Sequence, residues 1–447
     1  MTFWLIILVA LSTYLMVQVL SRLIVQRSRR DSNLSMTQTP AQGPSPNPNI
    51  GATLTPATLR PITQSEETKL RNCFSWSIFY IHNIEYRPQA VVCRGQLRTT
   101  PTAAYQKIRE NVEAEFGDRF LVSLQEGPSG KPFFALLPNP QAQTGVPSAK
   151  ETSLTRPTLA LLLLTFTLIT TNAVGLDIAG VSRKSLELNS ATLLQGLPYA
   201  LALMTILGIH ELGHYLTARF YKIRSTLPYF IPVPFFPGTF GAVIQMRSPM
   251  PNRKALFDVS IAGPLAGFVV TLPLLLWGLA HSTVVPLTSG SKTLEMNALL
   301  SSFDPNYSFL LALLSKLMLG SALTATKAID FHPVALAGFL GLVATALNLM
   351  PVGQLDGGHI VHAMFGLRSS VVIGQIARLL LLGLSLVQPG IFLWVLILFF
   401  IPIIDQPALN DVSELDNKRD FGGLIALILL VTIILPTPNF MIQILQT

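Results

Sequence analysis

Along this chain, runs of apolar residues long enough to cross a bilayer alternate with short polar segments that hold the charge. The first run is FWLIILVALSTYLMVQVLSRLIV, residues 3–25. Seven more lie near 157–177, 192–217, 258–280, 331–350, 371–387, 389–404 and 421–439. A helix needs about 20 mostly apolar residues to span a hydrocarbon core. The pattern predicts an all-α polytopic membrane protein with about eight transmembrane helices. The run 308–320 is shorter and Lys316 interrupts it, so it reads as interfacial or as half of a hairpin.

Between the first and second runs the pattern changes twice. Residues 31–63 are rich in Pro, Ser, Thr, Asn and Gln and show no periodicity that could build a core, so 28–63 is expected to be a disordered linker. Short alternating segments follow. FSWSIFYIHNIEY and PQAVVCRGQL read as strands, TPTAAYQKIRENVEAEFG as an amphipathic helix entered through Thr-Pro, and FLVSLQEGPSGKPFFALLP as a hairpin with a Gly-containing turn. That β-β-α-β-β order predicts a small α+β soluble domain over 64–140. A second linker, 141–156, leads to a membrane-embedded domain over 157–447, with core spans 192–217, 258–280 and 331–350.

Composition agrees with this picture. Of 447 residues, 50% are hydrophobic and 12% charged, and mean hydropathy is +0.50. The net charge of +8 is spread over loops and sets topology. Arg22, Arg27, Arg29 and Arg30 lie at or after the end of the first run, whereas a cleaved signal peptide has its charges before the run. Residues 1–27 are therefore expected to be a retained anchor with a cytoplasmic C-terminal end, which puts the α+β domain in the cytoplasm. The loop 218–257, with Arg219, Lys222, Arg224, Arg247, Arg253 and Lys254, is expected inside. The loop 178–191, with Arg183 and Lys184, is expected outside, and 405–420, with Lys418 and Arg419, inside. The segment 281–330 is placed outside although it holds three lysines. Counting 308–320 as a span would reverse everything after it. No basic, aromatic-interleaved patch suggests nucleic acid. Cys73 and Cys93 are expected to be reduced thiols. Seven histidines are too few for a membrane di-iron oxygenase, which needs about eight in clusters.

The chemistry is concentrated at GIHELGHYLTARF, residues 208–220, which ends the uncharged run Leu193–Ile209. On a helix His210 and His214 lie one turn apart on one face, where two imidazoles can hold one metal ion. Glu211 sits beside them to handle a proton of an activated water. Ionisable groups in such a run are costly unless they serve a purpose. A third ligand must come from elsewhere. NLMPVGQLDGGHIVH, residues 348–362, offers Asp356, His359 and His362, and spacing alone does not choose among them. For His359 and His362 a place as interfacial residues at a helix start is preferred to ligation, and the same holds for His82, His281 and His332. The stretch LPYFIPVPFFPGTFGAVIQM, residues 227–246, is apolar, uncharged and too rich in proline for a helix. It is expected to dip into the membrane near the metal, with Gly241, Val243 and Gln245 along a strand edge that receives an unwound substrate.

HELGH together with a distant LDGG at the end of an apolar run resembles the site-2 protease family of intramembrane zinc metalloproteases, peptidase family M50. The resemblance implies that His210, His214 and Asp356 bind one zinc ion per chain and that Glu211 is the general base. The family's N-x-x-P-x-x-x-L-D-G pattern falls on Asn348, Pro351, Leu355, Asp356 and Gly357, which implies that Asn348 lies close to the scissile peptide. DVSIAGPLAGF is similar to the family's G-P-x-x-G helix through Gly263, Pro264 and Gly267, small residues that let helices approach closely. CRGQLR, PFFPGTFGAVIQMRSPMPNRKALFDVSIAGP and QPALNDVSELDNKR look like the chloroplast and cyanobacterial branch, over about residues 64–440. No G-L-G-F-type stretch suggests the inserted PDZ domain of many bacterial relatives.

These implications amount to an expected function. The chain would cut a peptide bond in or near a transmembrane segment of a membrane-anchored protein, as in regulated intramembrane proteolysis. The expected partners are such substrates and the lipid bilayer, with no nucleic acid; oligomeric state is not legible. The lack of an obvious transit peptide leads to the expectation of a bacterial, cyanobacterial-type plasma or thylakoid membrane, with the site near the cytoplasmic side. The competing reading is a non-proteolytic zinc-binding membrane protein, either a transporter or a scaffold. A transport path needs ionisable residues along several spans, and here they gather at one level.

Overall fold

A computed structural model describes residues 61–87, 90–127, 129–139, 156–181, 190–286, 308–320, 327–388 and 391–438. The expected anchor 1–27, the linker 28–63 up to residue 60, and the linker 141–156 up to residue 155 lie outside the described residues.

The soluble region opens with helix α1 (Gln64–Cys73). A capping box starts it: the Glu66 N–H donates to Thr63 Oγ1 at 3.3 Å, and the Thr63 N–H donates to the Glu66 carboxylate at 2.8 Å. This helix has no counterpart among the expected elements, because it buries only Leu70 and Cys73 and so carries almost no apolar period. Strands β1 (Phe79–Arg87) and β2 (Ala90–Leu97), helix α2 (Pro101–Phe116) and strands β3 (Phe120–Glu126) and β4 (Pro132–Pro138) then follow in the expected order. Residues 74–78 are not part of β1. The sheet is antiparallel with order β1-β2-β4-β3.

Helix α2 begins at Thr100-Pro101 and lays Ala104, Tyr105, Ile108 and Val112 on the sheet. Phe74, Phe79 and Phe134 meet under it with ring centroids 5.0–5.8 Å apart. Tilted and edge-to-face pairs of this kind add about 0.5–1.5 kcal/mol each beyond simple burial. Cys73 and Cys93 are free and buried in the same core. Burial pushes the Cys93 thiol up to about 12, so it is a protonated core group and not a nucleophile. The outer edge of β3 is not open. The Leu124 N–H donates to the Leu409 carbonyl at 2.7 Å, and the Asp411 N–H donates to the Leu124 carbonyl at 3.0 Å. A segment nearly three hundred residues downstream thus caps the sheet.

The remainder is mostly helical. In order come α3 (Pro157–Ile178), a 3-10 turn (Ser190–Gly196), α4 (Leu197–Phe220), strands β5 (Tyr229–Pro232) and β6 (Thr239–Val243), and α5 (Arg253–Ala280). Strand β7 (Thr283–Pro286) pairs with β8 (Lys327–Asp330), and α6 (Phe309–Leu319) lies between them in sequence. Then come α7 (Pro333–Leu349), α8 (Asp356–Val387), α9 (Phe392–Phe400) and α10 (Asn417–Ile434). Among the described residues, four helices are long and apolar enough to cross a membrane: Pro157–Ile178, Ala191–Phe220, Arg253–Ala280 and Asp356–Leu386. The chain is therefore a polytopic membrane protein with a small α+β soluble region.

The shorter helices differ from the expected spans for identifiable reasons. At 1.5 Å per residue α7 is about 26 Å long, just under the hydrocarbon thickness, and α6 and α9 are about 16 and 14 Å. The run 389–404 yields only α9, because Ile401 precedes Pro402 and takes an extended conformation. The run 371–387 is the far part of α8, which starts at Asp356 and is broken at Gly366, where φ is +83°. The polar residues of its first two turns hide that start from a hydropathy reading.

Helices α4, α5 and α7 form the centre of the bundle, with Tyr199, Leu203, Leu275, Leu279, Leu336 and Leu342 in its core. Glycines set how closely they pack. A Cβ at Gly213 of α4 would strike the Ala262 carbonyl of α5, and one at Gly338 of α7 would strike Leu275.

Candidate metal centre

Helix α4 runs without interruption through residues 208–220, so His210 and His214 share one face. Helix α5 crosses that face in the antiparallel sense and meets it with glycines. A Cβ at Gly263 would land on the His214 ring, and one at Gly267 would press on His210 at 3.1–3.2 Å. The two imidazoles occupy the space those side chains would take. His214 Nδ1 lies 2.8 Å from the Val259 carbonyl. With Nδ1–H donating there, Nε2 keeps its lone pair for the site. The Nε2 atoms of His210 and His214 are 3.2 Å apart.

Asp356 arrives from a different part of the chain, as the first residue of α8. Two glycines wedge that helix start against the end of α7. A Cβ at Gly357 would strike the Leu349 carbonyl, and one at Gly358 the Gly353 carbonyl. Asp356 Oδ2 then lies 3.6 Å from His210 Nε2 and 3.2 Å from His214 Nε2. Asn348 Nδ2 is 3.1 Å from His210 Nε2. Among the described residues this is the one trio of His, Cys, Asp or Glu whose ligand atoms all fall within 4.8 Å of one another.

The donor set fits a zinc ion. Tetrahedral zinc with bonds of 2.0–2.2 Å holds neighbouring donor atoms about 3.3–3.6 Å apart. The three separations here are 3.2, 3.2 and 3.6 Å. Two nitrogens and one carboxylate oxygen leave a fourth position open, the arrangement of catalytic rather than structural zinc.

Glu211 is buried next to the trio. The Ile244 backbone N–H faces its carboxylate. That contact ties the site to the 227–246 stretch, which forms the hairpin β5–β6 with Tyr229 opposite Val243 and Phe230 opposite Ala242. The arms continue beyond the strands: the Thr226 N–H donates to the Gln245 carbonyl at 3.1 Å, and the Arg247 N–H to the Arg224 carbonyl at 2.8 Å. Gly241 has φ +98°, and its N–H donates to Thr239 Oγ1 at 3.0 Å. Val243, Phe235 and Phe240 are exposed, which gives the hairpin an apolar surface.

The structure brings His210, His214, Asp356 and Asn348 into one cluster with Glu211 beside it. Gly241, Val243 and Gln245 lie on the arm that reaches Glu211 through Ile244. His359 and His362 turn away from the cluster, as the preference against ligation expected; His359 is part-exposed at the start of α8, and for His362 the expectation of an interfacial place needs correcting. His362 is fully buried between two carboxylates, with Nδ1 2.6 Å from Asp405 Oδ2 and Nε2 3.0 Å from Asp411 Oδ1. His359 Nδ1 lies 2.8 Å from Asp405 Oδ2. Burial pushes the Asp405 carboxyl up, but the facing imidazoles of His359 and His362 outweigh it and bring it down to about 2. The sequence reading missed Asp405 and Asp411. Their signal was two acids six positions apart in IIDQPALNDV, a loop next to an uncharged apolar run. His281 and His332 sit far along α5 and at the start of α7, where His281 stacks on Trp277.

Comparison with known proteins adds an independent line. Residues 198–386 match peptidase family M50, and residues 68–144 match the EGY3 middle domain. The chain is 32% identical over 371 residues to "Probable zinc metalloprotease EGY2, chloroplastic" of Arabidopsis thaliana, an alignment of 82% of this chain and 63% of that protein. It is 37% identical over 244 residues to "Probable zinc metalloprotease EGY1, chloroplastic" of the same plant, covering 54% and 43%. To "Probable zinc metalloprotease EGY3, chloroplastic" of Oryza sativa subsp. indica it is 26% identical over 379 residues, covering 82% and 63%. The chain thus spans less than two thirds of these relatives' length. No solved structure matches it.

Proposed function

The chain belongs to the site-2 protease family, peptidase family M50, and from that premise we propose that it is a zinc metalloendopeptidase that cuts membrane-anchored proteins in or near a transmembrane segment. The observation that carries the proposal is the trio His210, His214 and Asp356. Its donor atoms are spaced for one zinc ion, with Glu211 alongside, at the end of an uncharged helical run.

Zinc held by these three side chains would polarise the scissile carbonyl and the attacking water. Glu211 takes a proton from that water as its oxygen bonds to the carbonyl carbon, and delivers a proton to the leaving nitrogen as the C–N bond breaks. His214 is kept in register by the Val259 carbonyl, and Asn348 is placed to hold the substrate near His210. A transmembrane helix hides its peptide bonds in i→i−4 hydrogen bonds, so the substrate has to unwind before it can react. The arm with Gly241, Val243 and Gln245 offers an unwound segment a strand to pair with, close to Glu211. Single-span membrane proteins are the proposed substrates. The charged loop 218–257 favours a site open toward the cytoplasmic or stromal face. The relatives are plant proteins named chloroplastic. They favour a plastid-type membrane and lend no support to the bacterial membrane expected from the sequence.

The test is cleavage of a single-span reporter by purified protein in detergent. Metal analysis should give one zinc per chain. Stripping it with a chelator should abolish cleavage, and adding zinc should restore it. Cleavage by the metal-free protein would refute the proposal. For the hairpin, Val243→Pro should lower cleavage about 100-fold, since the ring removes one N–H and restricts the strand. Zinc content should not change. Normal cleavage by that variant would remove the strand-pairing step.

A further inference from the structure

The cluster around His362 takes no part in the reaction above, yet it grips the same piece of helix that presents Asp356. Because α8 breaks at Gly366, Asp356 sits on a helical piece of roughly three turns. That piece is held at three places. Gly357 and Gly358 wedge its start against residues 349–353. Asp405 holds its flank: Oδ2 faces His359 Nδ1 and His362 Nδ1, while Oδ1 accepts the Gln406 N–H at 2.6 Å. Asp411 holds the other side of His362 and also meets Arg253, whose Nε is 3.5 Å from Asp411 Oδ1. The Arg253 guanidinium lies against Gly366, where a Cβ would come within 2.9 Å of it. His362, Asp405, Asp411 and Arg253 are all buried. Carboxylates satisfy both ring nitrogens of buried His362 and fix its position, while His359 Nδ1 and Arg253 Nε meet their carboxylates as ion-pair contacts.

The two aspartates belong to a segment that pairs on one side with the soluble sheet and on the other with residues 250–252 ahead of α5, where the Leu409 N–H donates to the Met250 carbonyl and the Asn410 N–H to the Pro251 carbonyl. Asp411 itself donates its backbone N–H to the Leu124 carbonyl, and Leu409 accepts from the Leu124 N–H. Gln125 Nε2 donates to the Ala408 carbonyl at 2.7 Å, and Arg368 of α8 donates to the Gly127 carbonyl. One residue, Asp411, therefore touches the soluble sheet with its main chain and the Asp356 helix with its side chain. The cluster is a hydrogen-bonded link and not a second metal site, since the trio at Asp356 alone brings its ligand atoms together among the described residues.

We propose that His359, His362, Asp405, Asp411 and Arg253 are positioning residues for Asp356, and that residues 408–411 join them to the soluble domain, so that the seating of that domain sets the metal affinity of the membrane site. The inference rests on the metalloprotease reading of the trio. It is read on metal binding and not on cleavage, so the two can fail separately: a protein that binds zinc but cuts nothing defeats only the former.

The test uses the full chain in detergent. Zinc affinity is measured by competition with a chromophoric chelator, and ligand geometry by the visible spectrum of the Co²⁺-substituted protein. Asp405→Asn and Asp411→Asn should each weaken zinc binding about 10-fold, the lower end of the cost of losing a direct partner of a metal ligand because they act on Asp356 through His359 and His362, and should alter the Co²⁺ bands. Gln125→Ala combined with Arg368→Ala breaks only docking bonds and should weaken zinc binding about threefold. If Asp411→Asn does not fold, His359→Ala at the half-exposed end of the cluster gives the same readout. Unchanged zinc affinity and Co²⁺ spectrum in the cluster variants, even with a lowered melting temperature, would make the cluster purely structural and overturn the proposal. Unchanged affinity in the docking variant alone would overturn the link to the soluble domain.

Discussion

Glu211→Gln should stop peptide hydrolysis while leaving zinc in place. Glutamine keeps the size of the side chain and an oxygen that can face the Ile244 N–H. It cannot take a proton from water or return one to the leaving nitrogen. Losing a positioned general base costs about 10²–10⁴-fold in rate, enough to push cleavage of a slow membrane substrate below detection. The measurement pairs cleavage of the single-span reporter with metal content of the same preparation. Retained cleavage would mean another group moves the proton. Loss of zinc would mean that Glu211 serves the metal trio and not the water. If the unaltered protein binds zinc but cuts no single-span substrate, the non-proteolytic reading gains.

Gly263→Val should have an effect of similar size by a different route, through the metal. The space a side chain would need at residue 263 is filled by the His214 ring. Neither partner can retreat easily. The His214 ring is tied at Nδ1 to the carbonyl of Val259, one turn before Gly263 on α5, and α4 and α5 already approach backbone to backbone at Gly213. Overpacking alone costs about 1–3 kcal/mol, and turning His214 out of the trio removes a zinc ligand. Zinc affinity should fall at least 100-fold, judged against the 10–100-fold seen when only an outer partner is lost. Gly383→Ala is the control, since nothing lies within 4 Å of the added atom. It should keep both zinc and activity. A Gly263→Val protein with full zinc content would show that the helices separate more readily than this packing implies.

Much of the arrangement was readable from the residues because local periodicity and chemistry agreed. HELGH placed two candidate ligands on one helix face, and the alternation in 79–97 and 120–138 marked the four strands. The failures have a common physical origin. Helix α1 was missed because a capped helix on the domain's surface needs little apolar surface. A helix start at His359 and His362 was expected, but its joining to the run 371–387 in one helix was hidden because Asp356, His359 and His362 interrupt the hydropathy. Segment 389–404 was read as a span because its composition outweighed the single Pro402 that stops the helix. The choice among Asp356, His359 and His362 could not be made from spacing. It depends on Asp405 and Asp411, which occupy the two histidines from a loop some fifty residues away.

The capped edge of β3 also sets an order of events during biosynthesis. Leu124 leaves the ribosome roughly 280 residues before the Leu409–Asp411 segment that will pair with it, a delay of about 15–60 s at 5–20 residues per second. Throughout that interval the nascent sheet has an unpaired edge. His362 likewise lacks its two carboxylate partners until the loop after α9 has been made. The soluble sheet and the Asp356 helix are therefore completed by the same late segment, so a chain interrupted before residue 405 lacks the finish of both at once.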